Sequence, residues 1–207
     1  MLKHSVLPRR VLLAGATATA LLALAACGDD VPGSGMDHGS AVNPSATASA
    51  GAAAFNDADV MFAQMMVPHH REAVEMAGLA ATRAADPEVK ALAAKIEAAQ
   101  QPEITTMTGW LGAWGQPMPG TSLPSMDHGA MPGDMAPADL EKLRAARGAA
   151  FDRQFLTMMI IHHEGAITMA QDQARDGAST DAKALAQKIA ADQQAEIATM
   201  KTLLDRL

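Results

Sequence analysis

One stretch of this chain occurs twice. Laid over Asp152–Met200 at a constant shift of 93 residues and without a gap, Asp59–Met107 is identical at about half of its positions. Phe62, Met65, Met66, His69 and His70 fall on Phe155, Met158, Met159, His162 and His163; Ala73, Met76 and Ala77 fall on Ala166, Met169 and Ala170. Further along, Gln100, Glu103, Ile104 and Met107 fall on Gln193, Glu196, Ile197 and Met200. A duplication of this length means that whatever one copy forms, the other forms too, so the fold is a pairing of two like units.

Each unit reads as two helices. In the first, Phe62, Met66, His69, Ala73, Met76 and Ala80 are spaced alternately by four and three, the period of one face of a helix turned to a core. In the second, Val89, Leu92, Ile96, Glu103 and Trp110 form a stripe with Gln100 and Met107 beside it. Between them Asp86-Pro87-Glu88 supplies a cap, a proline at the first helical position and an acid in the first turn. In the second copy Gly177 stops one helix, and Ser179 or Thr180 with Asp181 starts the next. Two antiparallel hairpins, repeat one over 55–111 and repeat two over 137–207, predict an all-α four-helix bundle with one long crossover, the connectivity of ferritin-like folds. Pro68 and Pro102 lie inside helices, and a kink rather than a break is expected at Pro68.

The flanking segments have a different composition. Lys3, Arg9 and Arg10 precede an apolar run, Val11–Ala26, too short for a good membrane span and ending at Cys27, the one cysteine of the chain. This resembles a bacterial lipoprotein signal: residues 1–26 would be removed, and Cys27 would carry the lipid that holds the protein outside the cytoplasmic membrane. The Arg9-Arg10 pair also resembles a twin-arginine export signal. Loss of Lys3, Arg9 and Arg10 and of no acid takes the formal net charge from −7 to −10, which argues against nucleic acid as a partner. Residues 27–54, rich in Gly, Ser, Ala and Pro, cannot bury enough surface to fold and read as a tether. Residues 112–136, rich in Gly, Pro and Met, read as a linker between the repeats.

With Cys27 acylated, metal ligands would have to be His, Met or carboxylate. His69 lies 17 residues before Asp86 and Glu103 lies 17 after it, so in a hairpin of equal rise they stand level; counting about Ser179 pairs His162 with Glu196. Met65, Met66 and Met107 lie one turn away, as do Met158, Met159 and Met200. By this reading His70 and His163 lean outward. Thioethers favour Cu(I), imidazole serves Cu(I) and Cu(II), and the carboxylates would either ligate or orient an imidazole. Methionine on a helical stripe is equally what a core uses as filler. In the linker, Met126, His128, Met131 and Met135 lie in a segment expected to be flexible, where core packing does not explain them; Met36 and His38 repeat the Met-Asp-His-Gly opening in the tether.

The pattern Met-Met-x-x-His-His, Ala-x-x-Met-Ala, Gln-x-x-Glu-Ile-x-x-Met, present twice, resembles the bacterial family catalogued as domain of unknown function number 305, which includes CopM-type copper-binding proteins. The resemblance implies a ferritin-like bundle, export, and copper binding through Met65, Met66, His69, His70, Met76 and Met107 and through Met158, Met159, His162, His163, Met169 and Met200. The expected function is therefore a non-enzymatic, extracytoplasmic copper-binding lipoprotein that buffers, sequesters or transfers copper, its partners being copper ions, a membrane and an unidentified copper-handling protein. Rival readings are a haem-binding bundle, a ferritin-like redox bundle, and a structural or interaction module. A di-iron site is disfavoured because no Glu-x-x-His occurs.

Overall fold

The computed structural model describes residues 54–119 and 131–207. Within them the chain forms helices α1 (Asp57–Arg83), α2 (Pro87–Ala113), α3 (Pro137–Ala145), α4 (Ala149–Asp176) and α5 (Thr180–Arg206), with no strand. The leader, Cys27, and the tether with Met36 and His38 lie outside the described residues, as do Met126 and His128. No described helix is long and apolar enough to cross a membrane.

The ends of the helices follow from their caps. Asn56 and Asp59 form a reciprocal capping box at the start of α1, and Asp86 caps α2 ahead of Pro87. Ser179 caps α5, and Gly177 closes α4. α1 continues through Pro68 and α2 through Pro102 without a break. The short α3 is an addition to the predicted four helices; its buried Leu143 packs into the core.

α1 and α2 form one hairpin, α4 and α5 the other, and α1 lies antiparallel to α4. The start of α1 (Phe62, Met66) shares an apolar cluster with the later part of α4 (Ala166, Met169, Ala170), while its later part (Ala73, Met76, Ala80) packs with Phe155, Met158 and Met159. The turns are tied accordingly: Asp59 accepts hydrogen bonds from the Ala178 and Ser179 amides in the turn of the second hairpin. Asp152, its counterpart in the repeat, accepts from the Ala85 and Asp86 amides in the turn of the first.

This arrangement leaves the end of α2 and the start of α4 at opposite ends of the bundle, so the connection must travel its length. Its described parts track along α1 in order. Pro117 O accepts from Gln64, the Met135 amide donates to Glu72, Arg144 pairs with Glu75, and the Gly148 amide donates to Arg83 O. The expectation of a wholly flexible linker is therefore corrected for residues 131–136. Met131 and Met135 are half-buried, and Met135 packs against the core, so filling space is a sufficient reason for that side chain.

Candidate metal centre

Every long helix changes character at its middle. On α1 the buried apolar residues Phe62, Met66 and Val67 give way to His69 and His70 before the apolar run resumes at Ala73 and Met76. On α4, His162 and His163 stand between Met159 and Ala166; on α2, Gln100 and Glu103 follow Ile96; on α5, Gln193 and Glu196 follow Ile189. The core is thus two apolar halves separated by one polar layer of four His, two Gln and two Glu. Met66, Met107 and Met169 belong to one half, with Met65 packed against it; Met76, Met158, Met159 and Met200 belong to the other.

Within the layer the histidines do two different things. His70 Nε2 lies 2.9 Å from Glu103 Oε2, and His163 Nε2 lies 2.6 Å from Glu196 Oε2, at equivalent places in the two repeats. A carboxylate oxygen accepts, so Nε2 is the donor in each pair. Both Nδ1 atoms are buried without a partner. His69 and His162 stack on each other across the α1–α4 contact, ring centroids 3.6 Å apart and tilted by 33°. All four of their ring nitrogens are buried with no partner at full hydrogen-bond geometry, the backbone of Pro132 and the Glu72 carboxylate being the polar groups that face them.

Two expectations are corrected here. The residue level with Glu103 is His70 and not His69, and the partner of Glu196 is His163 and not His162. A side chain reaching between helices is directed by its rotation about the axis as well as by its height, and the one-residue offset is about 100° of helix. For the same reason His70 and His163 do not lean outward; both are fully buried. Met76 also parts from Met66 and Met107: it packs with the methionines of the second repeat, while Met169 packs with those of the first. Antiparallel α1 and α4 impose that exchange.

Burial sets the charge state of the central pair. Removal from water, together with the charges of His70 and His163, lowers His69 to about 3. Burial and the neighbouring His69, His163 and His70 hold His162 well below the usual imidazole value. Both rings are therefore neutral at physiological pH, the form that binds metal. Glu103 also meets Lys188 of α5 at 3.1 Å, and Glu72 lies 3.7 Å from His162 Nε2.

Unpartnered buried polar groups cost about 1–3 kcal/mol each. Besides the six imidazole nitrogens, Gln100 and Gln193 have both amide atoms buried without partners. The Gln pair extends the layer beyond the candidates found from sequence; its signal was a polar residue three before each Glu, matched in both repeats. No group of three His, Asp or Glu among the described residues forms a metal site by itself. The thioethers of Met66 and Met159 lie one helical turn before the stacked histidines and those of Met107 and Met200 one turn after the glutamates, while Met76 and Met169 lie nearly two turns beyond.

The family described as Domain of unknown function (DUF305) matches over residues 59–204. A solved DUF305 protein of Streptomyces coelicolor is 34% identical, with a TM-score of 0.66, covering 72% of this chain and 93% of its own. A DUF305 fragment from Deinococcus radiodurans is 34% identical, TM-score 0.66, covering 73% and 98%. CopM in its Cu(I)-bound form is 33% identical, TM-score 0.60, covering 72% and 96%; CopM has also been solved with Cu(II) and with silver. No curated protein matches the chain.

Proposed function

The chain belongs to the DUF305 family, and from that premise we propose that it binds copper, Cu(I) in preference to Cu(II), in the polar layer at the middle of the bundle. The observation that carries the reading is the set of six buried imidazole nitrogens without partners, on His69, His70, His162 and His163. The neutral rings of His69 and His162 are metal donors in waiting, and His70 and His163 beside them are oriented by Glu103 and Glu196. The thioethers of Met66, Met107 and Met169 on one side, and of Met76, Met159 and Met200 on the other, supply the soft donors that Cu(I) prefers. Met65 and Met158 stand beside them. CopM, a third identical to this chain, has been solved with Cu(I), Cu(II) and silver; silver shares the softness of Cu(I).

In this reading the protein stores or hands on copper and catalyses no reaction. Glu103 and Glu196 orient His70 and His163, and Met126 and His128 gather copper more weakly, as do Met36 and His38. Export and a lipid on Cys27 follow from the leader, which puts the domain outside the membrane.

An anaerobic Cu(I) titration against a chromogenic chelator tests this, using a chain without residues 1–54 and with Met126 and His128 replaced. Submicromolar binding that vanishes in His69→Ala/His162→Ala, with helicity kept, supports the layer as the site. A core that cannot compete where the intact protein can would move copper to the tracts; failure of both would make the His layer structural.

A further inference from the structure

The two repeats differ one turn after the stacked histidines. Position 72 on α1 is Glu, while its counterpart on α4, position 165, is Gly, and each lies three residues after the stacked His69 or His162. The segment Met131–Met135 crosses both positions. A Cβ built on Gly165 would collide with the Pro132 carbonyl and come within 2.6 Å of the Gly133 amide nitrogen. Gly133 has φ +89, and a Cβ there would lie 2.8 Å from His162 O and 3.0 Å from Gly165 Cα. Only two glycines allow backbone to approach backbone this closely. On the other side Glu72 Oε1 accepts from the Met135 amide at 3.0 Å and faces His162 Nε2 at 3.7 Å. Asp134 accepts from the Met131 amide at 3.1 Å and closes the segment into a turn.

We propose that Met131–Met135 is a strap that closes the His69–His162 pair from solvent, and that Gly165 and Glu72 are the residues that position it. Gly165 provides the notch in α4 that seats Pro132 and Gly133. Glu72 is the latch on α1: one carboxylate oxygen holds the strap amide and stands against the imidazole beneath. A strap requires different things of the two helices, room on one and an acceptor on the other, and Gly165 and Glu72 supply them. A metal ion reaching the pair passes the strap, so the strap sets the rate of exchange more than the affinity. That last consequence rests on the copper reading; closure of the imidazoles does not.

The test therefore has a readout without metal. In the metal-free full chain, the rate at which diethylpyrocarbonate modifies each histidine is followed by peptide mass spectrometry for the native protein, Gly165→Ala and Glu72→Ala. Alanine is the better helix former, so Gly165→Ala should keep α4 intact while expelling the strap. Loss of the part-buried Met135–Glu72 hydrogen bond corresponds to up to roughly tenfold easier local opening. His69 and His162 are expected to react about tenfold faster in both variants, with His70 and His163 unchanged under α2 and α5. Unchanged rates at His69 and His162 in two folded variants would overturn the strap, as would equal acceleration of all four histidines. Cu(I) release to a chelator, measured alongside, should accelerate in the same variants. Faster modification in a protein that binds no copper would uphold the strap and sink the copper reading.

Discussion

Asp59 and Asp152 perform the same task at opposite ends of the bundle: each stands at the start of one repeat and holds the turn of the other. Asp59 receives the amides of Ala178 and Ser179 and the side chain of Gln173; Asp152 receives those of Ala85 and Asp86. Burial would raise the pKa of Asp59, but these bonds, with that from Asn56, outweigh it and leave the carboxyl below its usual value. A hairpin of two helices cannot bury its inner face alone, and these aspartates fix the pairing that lets it do so.

Removing either acceptor leaves turn amides without partners. Asp59→Ala and Asp152→Ala should each destabilise the fold by about 1.5–3 kcal/mol, the range for bonds to a charged group. Because the sites are at opposite ends, the double variant should lose about the sum. Urea unfolding of the three variants checks this; a double variant no worse than either single would show that the ties are not independent.

The methionines separate packing from ligation. Leu for Met roughly conserves volume and costs less than about 1.5 kcal/mol in a core. Met66→Leu/Met107→Leu/Met169→Leu, and its counterpart Met76→Leu/Met159→Leu/Met200→Leu, should therefore stay folded while losing Cu(I) affinity. Retained affinity in both would return the methionines to the role of filler.

Glu103→Gln and Glu196→Gln should weaken copper binding by about 10–100-fold, the usual effect of disturbing the partner that orients a metal-bound imidazole. Isothermal titration on each variant provides the comparison, and an effect confined to Glu103 would point to Lys188, which pairs with that carboxylate at 3.1 Å.

How much of this was legible in the chain depends on the kind of information asked for. The repeat, the hairpins, the cap at Asp86, a second cap at Ser179 or Thr180, and the buried stripe through Phe62, Met66, His69 and Met76 follow from period and spacing, because a helix face is a local property. Counting from a turn gives height but not rotation, and so points one residue away from His70 and His163, the true partners of Glu103 and Glu196. The mixing of Met76 with Met159 and Met200 was not legible either, because it depends on how two hairpins dock. The strap was hidden for a related reason: Gly165 and Glu72 acquire meaning only when a distant segment lies on them.

Acid should destabilise the metal-free protein. His69 is held to about 3 and His162 well below 6.5 by burial and the neighbouring histidines. The unfolded chain therefore takes up protons that the folded one refuses: stability is full above pH 6.5 and falls as pH drops towards 3. At pH 4.5 His69 alone accounts for a loss of roughly 2–3 kcal/mol. Asp59, with its lowered pKa, adds a loss below 3.8. Burial raises Glu72 and Asp134, which act in the opposite sense, their stabilisation being present in acid and lost as pH rises through their folded values. The urea midpoint in chelator should be lower at pH 4.5 than at pH 7; an equal or higher midpoint would mean that the central histidines are not buried neutral.

The most direct test of the account is an anomalous-difference map at the copper edge from crystals of the Cu(I)-loaded protein. The expected result is a peak in the polar layer, within bonding distance of nitrogen from His69, His70, His162 or His163 and of sulfur from the adjoining methionines. Copper found at the surface alone, with the layer empty of metal, would contradict it.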